Sequence, residues 1–237
     1  MRRVVAVVVA CLVLASCGTS VEDVDLGAVA ARVRARMDES GSASYRTEAT
    51  GVGDGGRSVD TVVDGVWRRD AGGVSATMAV RTTKPVVDVV VAPGVLYSRV
   101  AGAEAWTVAE ESDPEAYFGP LGGLGLSSEV GAELDFLDAP GAVVKASGAE
   151  RVDGVDATRY SVEVDPAKVA GSQADPFRRK LLDDLAGVRR AVGVTVWVDG
   201  TGLPVKVTAV FPLDERREST TRFSGWGKPV EVVVPRV

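Results

Sequence analysis

The clearest β-hairpin in the chain lies at residues 194–211, which read VTVWVDGTGLPVKVTAVF. Runs rich in valine and threonine flank the residues Asp-Gly-Thr-Gly at 199–202. An Asp-Gly turn between two such runs is the strongest short-range signal for a pair of antiparallel strands. We therefore predict strands at Val194–Val198 and Leu203–Phe211, joined by a tight turn.

Outward from this hairpin, similar short runs fill most of the chain, separated by glycine or proline. They predict further strands at residues 44–52, 58–67, 74–81, 86–91, 95–99, 106–108, 143–150, 157–164, 220–224 and 230–234. The run Val86–Val91 is apolar at nearly every position, which predicts a strand that is covered on both faces. Short runs of this kind, separated by glycine or proline, are typical of antiparallel strands and hairpins.

Helical spacing is confined to a few stretches. The first helix is capped by Asp25, ends at Gly41 and carries an apolar face made of Leu26, Val29, Ala30, Val33 and Met37. Shorter helices are predicted after Asp113-Pro114, within residues 128–137, and from Asp175-Pro176 to Gly187. An antiparallel sheet with helices gathered on one side is an α+β fold. Residues 25–237 should form a single domain, since no long polar linker divides them.

The N-terminus has the order of a secretory signal peptide. A charged start at Arg2 and Arg3 precedes an apolar run, and Leu14-Ala15-Ser16 leads directly to Cys17. The run is shorter than the roughly 20 residues that a transmembrane helix needs. A cysteine after Leu-Ala-Ser resembles the lipobox of bacterial lipoproteins, in which the thiol receives a diacylglycerol.

This interpretation assigns residues 1–16 to a signal peptide and residues 17–24 to a short lipidated tether. The alternative is an ordinary secretory signal. It leaves Cys17 without a role, because the chain's other cysteine, Cys11, lies inside the signal itself. The prediction is a protein held at the extracytoplasmic face of the cell membrane through diacylglyceryl-Cys17.

Composition excludes several functions. The formal charge of −6 becomes −8 once Arg2 and Arg3 are removed with the signal, so a nucleic-acid partner is not expected. The chain contains no histidine, which removes the usual general base and the usual metal ligand. Nucleotide-binding glycine motifs are absent from the sequence. The acidic cluster Glu110, Glu111, Asp113 and Glu115 is interpreted as a solvated loop. We expect no enzymatic activity, no catalytic residue, no metal and no cofactor.

A glycine- and leucine-rich segment, GPLGGLGL at residues 119–126, interrupts the strands. Its leucines, Leu121, Leu124 and Leu126, suit a mobile apolar lid over a cavity. A loop that packs onto the core through the same leucines explains the pattern equally well.

Several stretches resemble the LppX and LprG type of cell-envelope lipoproteins, within the LolA-like half-barrel group. They are Gly94-Val95-Leu96-Tyr97, Trp106, Asp113-Pro114, residues 152–160 (VDGVDATRY), Val196-Trp197-Val198-Asp199, Gly202-Leu203-Pro204 and residues 223–230 (FSGWGKPV). The resemblance implies a strongly curved antiparallel sheet, a half-barrel, with helices packed on its concave side. It also implies an apolar cavity that holds the acyl chains of a phospholipid or glycolipid.

The pattern then suggests which residues line that cavity: Val89, Val91, Leu96, Leu121, Leu124, Leu126, Phe136, Leu137, Leu181, Leu185, Trp197 and Val207. Plain core packing is an equally good interpretation of each. The predicted function is lipid binding for transport in the cell envelope. The alternative is a non-catalytic interaction module with a filled core that serves an envelope enzyme, transporter or sensor.

Overall fold

The computed structural model describes residues 24–52, 58–82, 85–110, 132–169, 183, 186–187, 190–212 and 217–236. Its strands are β1 (Ser42–Val52), β2 (Ser58–Asp70), β3 (Gly73–Arg81), β4 (Val87–Ala92), β5 (Val95–Val100), β6 (Thr107–Glu110), β7 (Val143–Val152), β8 (Val155–Val164), β9 (Val192–Asp199), β10 (Pro204–Phe211) and β11 (Arg217–Ser224). The described helices are α1 (Leu26–Ser40), α2 (Pro166–Val169) and a 3-10 helix (Ala132–Phe136). None of them has the length and apolar character that a bilayer-spanning helix needs.

All these strands join one curved, open antiparallel sheet, in the order β6-β5-β4-β3-β2-β1-β11-β10-β9-β8-β7. Neighbouring strands are also consecutive in the chain, except that β1 pairs with β11. The sheet thus consists of two meanders joined at its centre by the first and last strands. This architecture is consistent with the predicted half-barrel, although the helical layer is small in the described part of the chain.

Alternation along the strands gives the sheet two faces. The core face carries the main apolar cluster, including Val63 and Trp67 of β2 and Val194 and Val196 of β9. The outer face carries most of the charged side chains. Because side chains alternate with period two, a residue's parity within its strand decides which face it occupies.

Helix α1 packs on the core face as its sequence predicts. The Asp25 carboxylate accepts a hydrogen bond from the Ala28 N–H at 3.0 Å, and Gly41 ends the helix in a left-handed conformation with φ of 69°. Ala30, Val33 and Met37 are buried in the core cluster. The predicted cap, apolar face and stop signal of this helix are therefore confirmed.

A charged clamp joins α1 to the chain that follows the 3-10 helix. The Arg34 guanidinium donates to both carboxylate oxygens of Asp138, at 2.7 and 2.8 Å, and to Asp135 at 3.1 Å. Hydrogen bonding from Arg34 holds the pKa of Asp138 below its usual range. The clamp fixes the 3-10 helix, and with it Phe136, beside α1.

The predicted hairpin forms with a turn at residues 199–202. The Asp199 carboxylate accepts hydrogen bonds from the Thr201 N–H at 2.8 Å and the Leu203 N–H at 3.0 Å. Gly202 has φ of 90°, a conformation that L side chains rarely adopt. Asp199 and Gly202 therefore set the register of β9 against β10.

The prediction of a strand at residues 230–234 is wrong. The segment 228–236 forms no strand, and Glu231, Val233 and Pro235 instead line a groove on the outer face of the sheet. A segment stacked on a sheet face cannot reach the hydrogen-bonding edge of a strand, and Pro229 and Pro235 lack the N–H donors that a ladder requires. We call residues 228–236 the C-terminal segment.

A buried tyrosine makes the stability of the fold sensitive to alkaline pH. Tyr45 lies on the core face, and its hydroxyl contacts the Met78 sulfur at 3.6 Å. Burial raises the pKa of Tyr45 well above its ordinary value, which is about 10 in an unfolded chain. Above that pH the unfolded state loses the Tyr45 proton while the folded state keeps it. The stability is therefore complete below about pH 10 and falls as the pH rises.

We expect the urea midpoint of the protein to fall between about pH 10 and 11.5, as measured by circular dichroism. The Tyr45→Phe variant should show a weaker decrease over this window. Equal pH dependence in both proteins would contradict the assignment to Tyr45.

Candidate functional site

The predicted cavity residues within the described chain lie mainly on the core face. Val89 and Val91 of β4, Leu96 of β5 and Val207 of β10 belong to the main apolar cluster, together with Phe136 and Leu137. Their exposed fractions are 0–3%. Residues from both meanders and from the 3-10 helix thus meet in one apolar layer.

Trp197 lies elsewhere. It packs with Val152, Ala157 and Val205 in a separate small cluster, because its odd position in β9 points away from Val194, Val196 and Val198. It would therefore not line a cavity on the core face. The other predicted site residues, Cys17, Leu121, Leu124, Leu126, Leu181 and Leu185, lie outside the described residues.

Strand β4 is covered on both faces, as its uniform apolar pattern predicts. Val89 and Val91 face the core, whereas Val90, on the outer face, is only 4% exposed. Val90 shares the outer groove with Val233 and Pro235 of the C-terminal segment. The apolar outer-face residues of this strand thus lie next to an apolar stretch of the C-terminal segment.

That groove has a volume of about 1020 Å³. Its floor consists of outer-face residues from β1 to β4, its sides include Trp106 and Arg222, and the C-terminal segment forms a wall. The volume falls at the upper end of the range for small-molecule sites, about 300–1,000 Å³. No local sequence motif predicts this groove, because its walls come from segments far apart in the chain.

Strand register places a row of outer-face residues directly opposite one another from β8 to β5. In sheet order they are Arg159, Trp197, Lys206, Arg222, Arg46, Asp64, Ala79, Asp88 and Arg99. We call this set the transverse row. Most of its members are charged, so the outer face carries a belt of charge across almost the whole sheet.

Ion pairs connect the central part of the transverse row. Arg46 pairs with Asp64 at 3.0 Å and with Glu48 at 3.1 Å, and Arg222 pairs with Glu48 at 3.3 Å. These hydrogen bonds lower the pKa of Glu48, with Arg46 as the first cause. The groups are about half exposed, so each pair contributes little to stability.

A cation lies over an indole ring near each end of the row. The Arg99 guanidinium is 4.4 Å from the centre of the Trp106 ring and pairs with Asp88 at 3.1 Å. The Lys206 ammonium is 4.4 Å from the centre of the Trp197 ring. Cation–π contacts of this kind orient a side chain and keep its charge at the surface.

The two faces of the sheet offer different kinds of contact. No group of histidine, cysteine or acidic residues that could hold a metal occurs among the residues that the structure describes. The core-face layer offers apolar contact, and the outer face offers paired charges and indole rings.

Comparison with solved structures places this architecture among known folds. The crystal structure of LprF from Mycobacterium bovis aligns with a TM-score of 0.52 and 14% identity, over 88% of this chain and 97% of LprF. The chain has the fold of LprF. The fold that the resemblance to LppX- and LprG-type lipoproteins implies is therefore confirmed.

Two other structures show weaker likeness. A chain of the MucA/MucB complex from Pseudomonas aeruginosa gives a TM-score of 0.39 and 12% identity. The alignment covers 88% of this chain and 59% of the chain in that complex. The LolA superfamily protein NE2245 from Nitrosomonas europaea gives a TM-score of 0.32 and 8% identity, covering 85% of this chain and 92% of that chain. No protein-family model and no curated protein sequence matches the chain.

Proposed function

We propose that the protein is a membrane-anchored extracytoplasmic lipoprotein that binds the acyl chains of a phospholipid or glycolipid against the core face of its sheet. The observation that carries the proposal is the gathering of Val89, Leu96, Leu137 and Val207 into one apolar layer on the core face. An acyl chain in water exposes many methylenes, each worth about 0.8 kcal/mol when buried. A curved sheet with an aliphatic face supplies the contacts that a carrier needs.

The fold and the N-terminus support the same proposal. LprF, whose fold the chain shares, is similar along nearly its whole length. The order of residues 1–17 is that of a lipoprotein signal, which would place diacylglyceryl-Cys17 in the membrane and the domain beside it. Transport of lipid through the envelope needs no catalytic group, so the proposed function is non-enzymatic.

One observation favours a second candidate. Val89 and Leu137 have no measurable exposure, and Phe136 is only 1% exposed, as expected for a filled core. With a filled core, the same fold would act as an interaction module for an envelope enzyme, transporter or sensor. The two candidates differ in whether lipid is present in the isolated protein.

The deciding experiment is native mass spectrometry of the full chain, with lipid extraction, after expression in a host that attaches the anchor. Bound acyl lipid near one per chain, in addition to the anchor, is the expected result. A mass that corresponds to anchor alone, unchanged after addition of phospholipid or glycolipid, would overturn the proposal and favour the interaction module.

Photo-methionine can locate the bound lipid. The chain has three methionines, of which Met37 on α1 and Met78 on β3 lie on the core face. Irradiation should attach lipid to a peptide that contains Met78 or Met37, and the Met78→Leu and Met37→Leu variants assign the position. Lipid that is bound but attached to neither peptide would contradict a site on the core face.

A further inference from the structure

Three neighbouring strands bring two cations to either side of an indole on the outer face. Trp197 of β9 lies directly opposite Arg159 of β8 and directly opposite Lys206 of β10. Directly opposite residues in a sheet have Cβ atoms about 4.5–5.5 Å apart, which is within reach of one small ligand. The geometry points to a binding site for a phosphate-bearing anion at Arg159, Trp197 and Lys206.

Two N–H donors of this group are buried without an acceptor. Trp197 is only 8% exposed, and its Nε1 has no hydrogen-bond partner among the described residues. The Nε of Arg159 is likewise buried without a partner there, while its Nη1 pairs with Glu150 at 3.5 Å. Buried polar groups are paired in nearly all folded proteins, and an unpaired donor destabilises the structure that contains it. Two such donors in adjacent strands can both donate to an acceptor that binds between them.

The charge of Lys206 is also uncompensated. Within the described residues, its one specific contact is the cation–π contact with Trp197, and no carboxylate pairs with it. Lys206, Arg222 and Arg46 lie directly opposite one another on consecutive strands, an arrangement in which like charges repel. Glu48 and Asp153 pair with Arg222 and compensate its charge. Among the described residues, Lys206 is therefore the cation in this part of the row without a carboxylate partner.

The tip of the β7–β8 hairpin covers the site. Asp153 in this turn pairs with Arg222 of β11 at 3.3 Å, so the tip extends above β9 and β10. Val152 beside the turn packs on Trp197, and Asp153 and Gly154 both have positive φ, as a tight two-residue turn requires. The Asp153–Arg222 pair is exposed and contributes little to stability, so the proposed site requires a ligand to displace this tip to reach the Trp197 Nε1.

Phosphate is the anion whose chemistry fits this donor set. The Arg159 guanidinium, the Trp197 N–H and the Lys206 ammonium supply several donors, which match the several oxygens of a phosphate group. Lys206 supplies a positive charge that no described carboxylate pairs, whereas Arg159 shares its charge with Glu150 at 3.5 Å. The source is either the headgroup of an anionic phospholipid or a free phosphate. The site lies on the opposite face from the apolar layer and does not depend on the acyl-chain proposal.

The test uses the full chain labelled with 5-fluorotryptophan, which gives one fluorine resonance for each of its four tryptophans. Trp197→Phe identifies the Trp197 signal. Titration with inorganic phosphate, at an ionic strength held constant with chloride, should shift this resonance and leave the Trp67 signal unchanged.

Two variants that each remove one lysine charge distinguish phosphate binding at a specific site from a general effect of net charge. Lys206→Gln should weaken phosphate binding about tenfold, since it removes a charge-assisted contact. The control is Lys145→Gln on β7, whose ammonium pairs with Glu163 at 2.8 Å, and it should bind phosphate like the unmodified protein. Equal weakening in both variants would contradict a specific site.

Nanodiscs distinguish the two sources of phosphate. A Trp197 shift on phosphatidylcholine discs that contain phosphatidylglycerol, absent on pure phosphatidylcholine discs, assigns the site to an anionic headgroup. A shift with inorganic phosphate but with neither disc assigns it to the free anion. A Trp197 resonance that responds to neither phosphate nor phosphatidylglycerol would overturn the proposal.

Discussion

Replacement of Phe136 by alanine should lower the free energy of unfolding by about 3–5 kcal/mol. Phe136 is 1% exposed, and its ring meets the Phe211 ring edge to face with centroids 6.4 Å apart. The residue anchors the 3-10 helix on the core face, and Arg34 binds the same helix through Asp135 at 3.1 Å. Removal of the ring deletes this contact and leaves a cavity that rigid neighbours cannot fill.

Urea unfolding monitored by circular dichroism measures this loss, with the slope of the transition as a check on two-state behaviour. Val100→Ala on β5 is the control, because Val100 is 51% exposed and its loss should cost less than about 0.5 kcal/mol. Similar midpoints for the two variants would show that Phe136 does not belong to a packed core. In that case, the space beside it would be available to a ligand.

Replacement of Gly65 by alanine should destabilise the protein by about 1–3 kcal/mol, through overpacking rather than through loss of contact. A Cβ atom on Gly65 would lie 2.5 Å from Cζ and 2.6 Å from the hydroxyl oxygen of Tyr45. Tyr45 is directly opposite Gly65 in the β1–β2 ladder and is buried against Met78, so its ring has little room to move. Glycine is required here because of a close approach and not because of backbone conformation.

Thermal unfolding of a double-mutant cycle tests this explanation. Tyr45→Leu removes the ring that the new methyl group meets, so Gly65→Ala should cost clearly less in that background than in the unmodified protein. The matched control is Gly193→Ala on β9, where the nearest atom to an added Cβ is the Val210 Cβ at 3.9 Å. An additive cycle would refute the clash, and a large loss in Gly193→Ala would show that any added Cβ disturbs the sheet.

Local sequence predicted much of the fold because its signals act over a few residues. The Asp25 cap, the apolar face of α1 and the Asp-Gly turn at Asp199 all depend on contacts within a few positions of the chain. The strand prediction at residues 230–234 failed because an apolar, valine-rich run has the same pattern whether it joins a sheet edge or lies across a sheet face.

The candidate site was less predictable. The apolar pattern suggested Val89, Val91, Leu96 and Val207 as one group, and the structure places them in one apolar layer. Trp197 lies outside this layer, and the sequence did not assign its face, since an aromatic residue in a valine-rich strand fits either face. The face that Trp197 occupies became clear only from the strand register, which places it directly opposite Arg159 and Lys206.

The sequence by itself determined the antiparallel strands, the first helix, the tight turn of the 194–211 hairpin and the resemblance to a half-barrel fold. The strands, the helix and the turn follow from backbone propensity and period, which each segment carries alone, whereas the half-barrel was implied by the family resemblance of several motifs. Only the tertiary structure decided that β1 pairs with β11, that the C-terminal segment crosses the outer face, and that Arg159, Trp197 and Lys206 share one row. Register between strands distant in the chain depends on the packing of the whole core, and a shift of one residue would move every side chain to the other face.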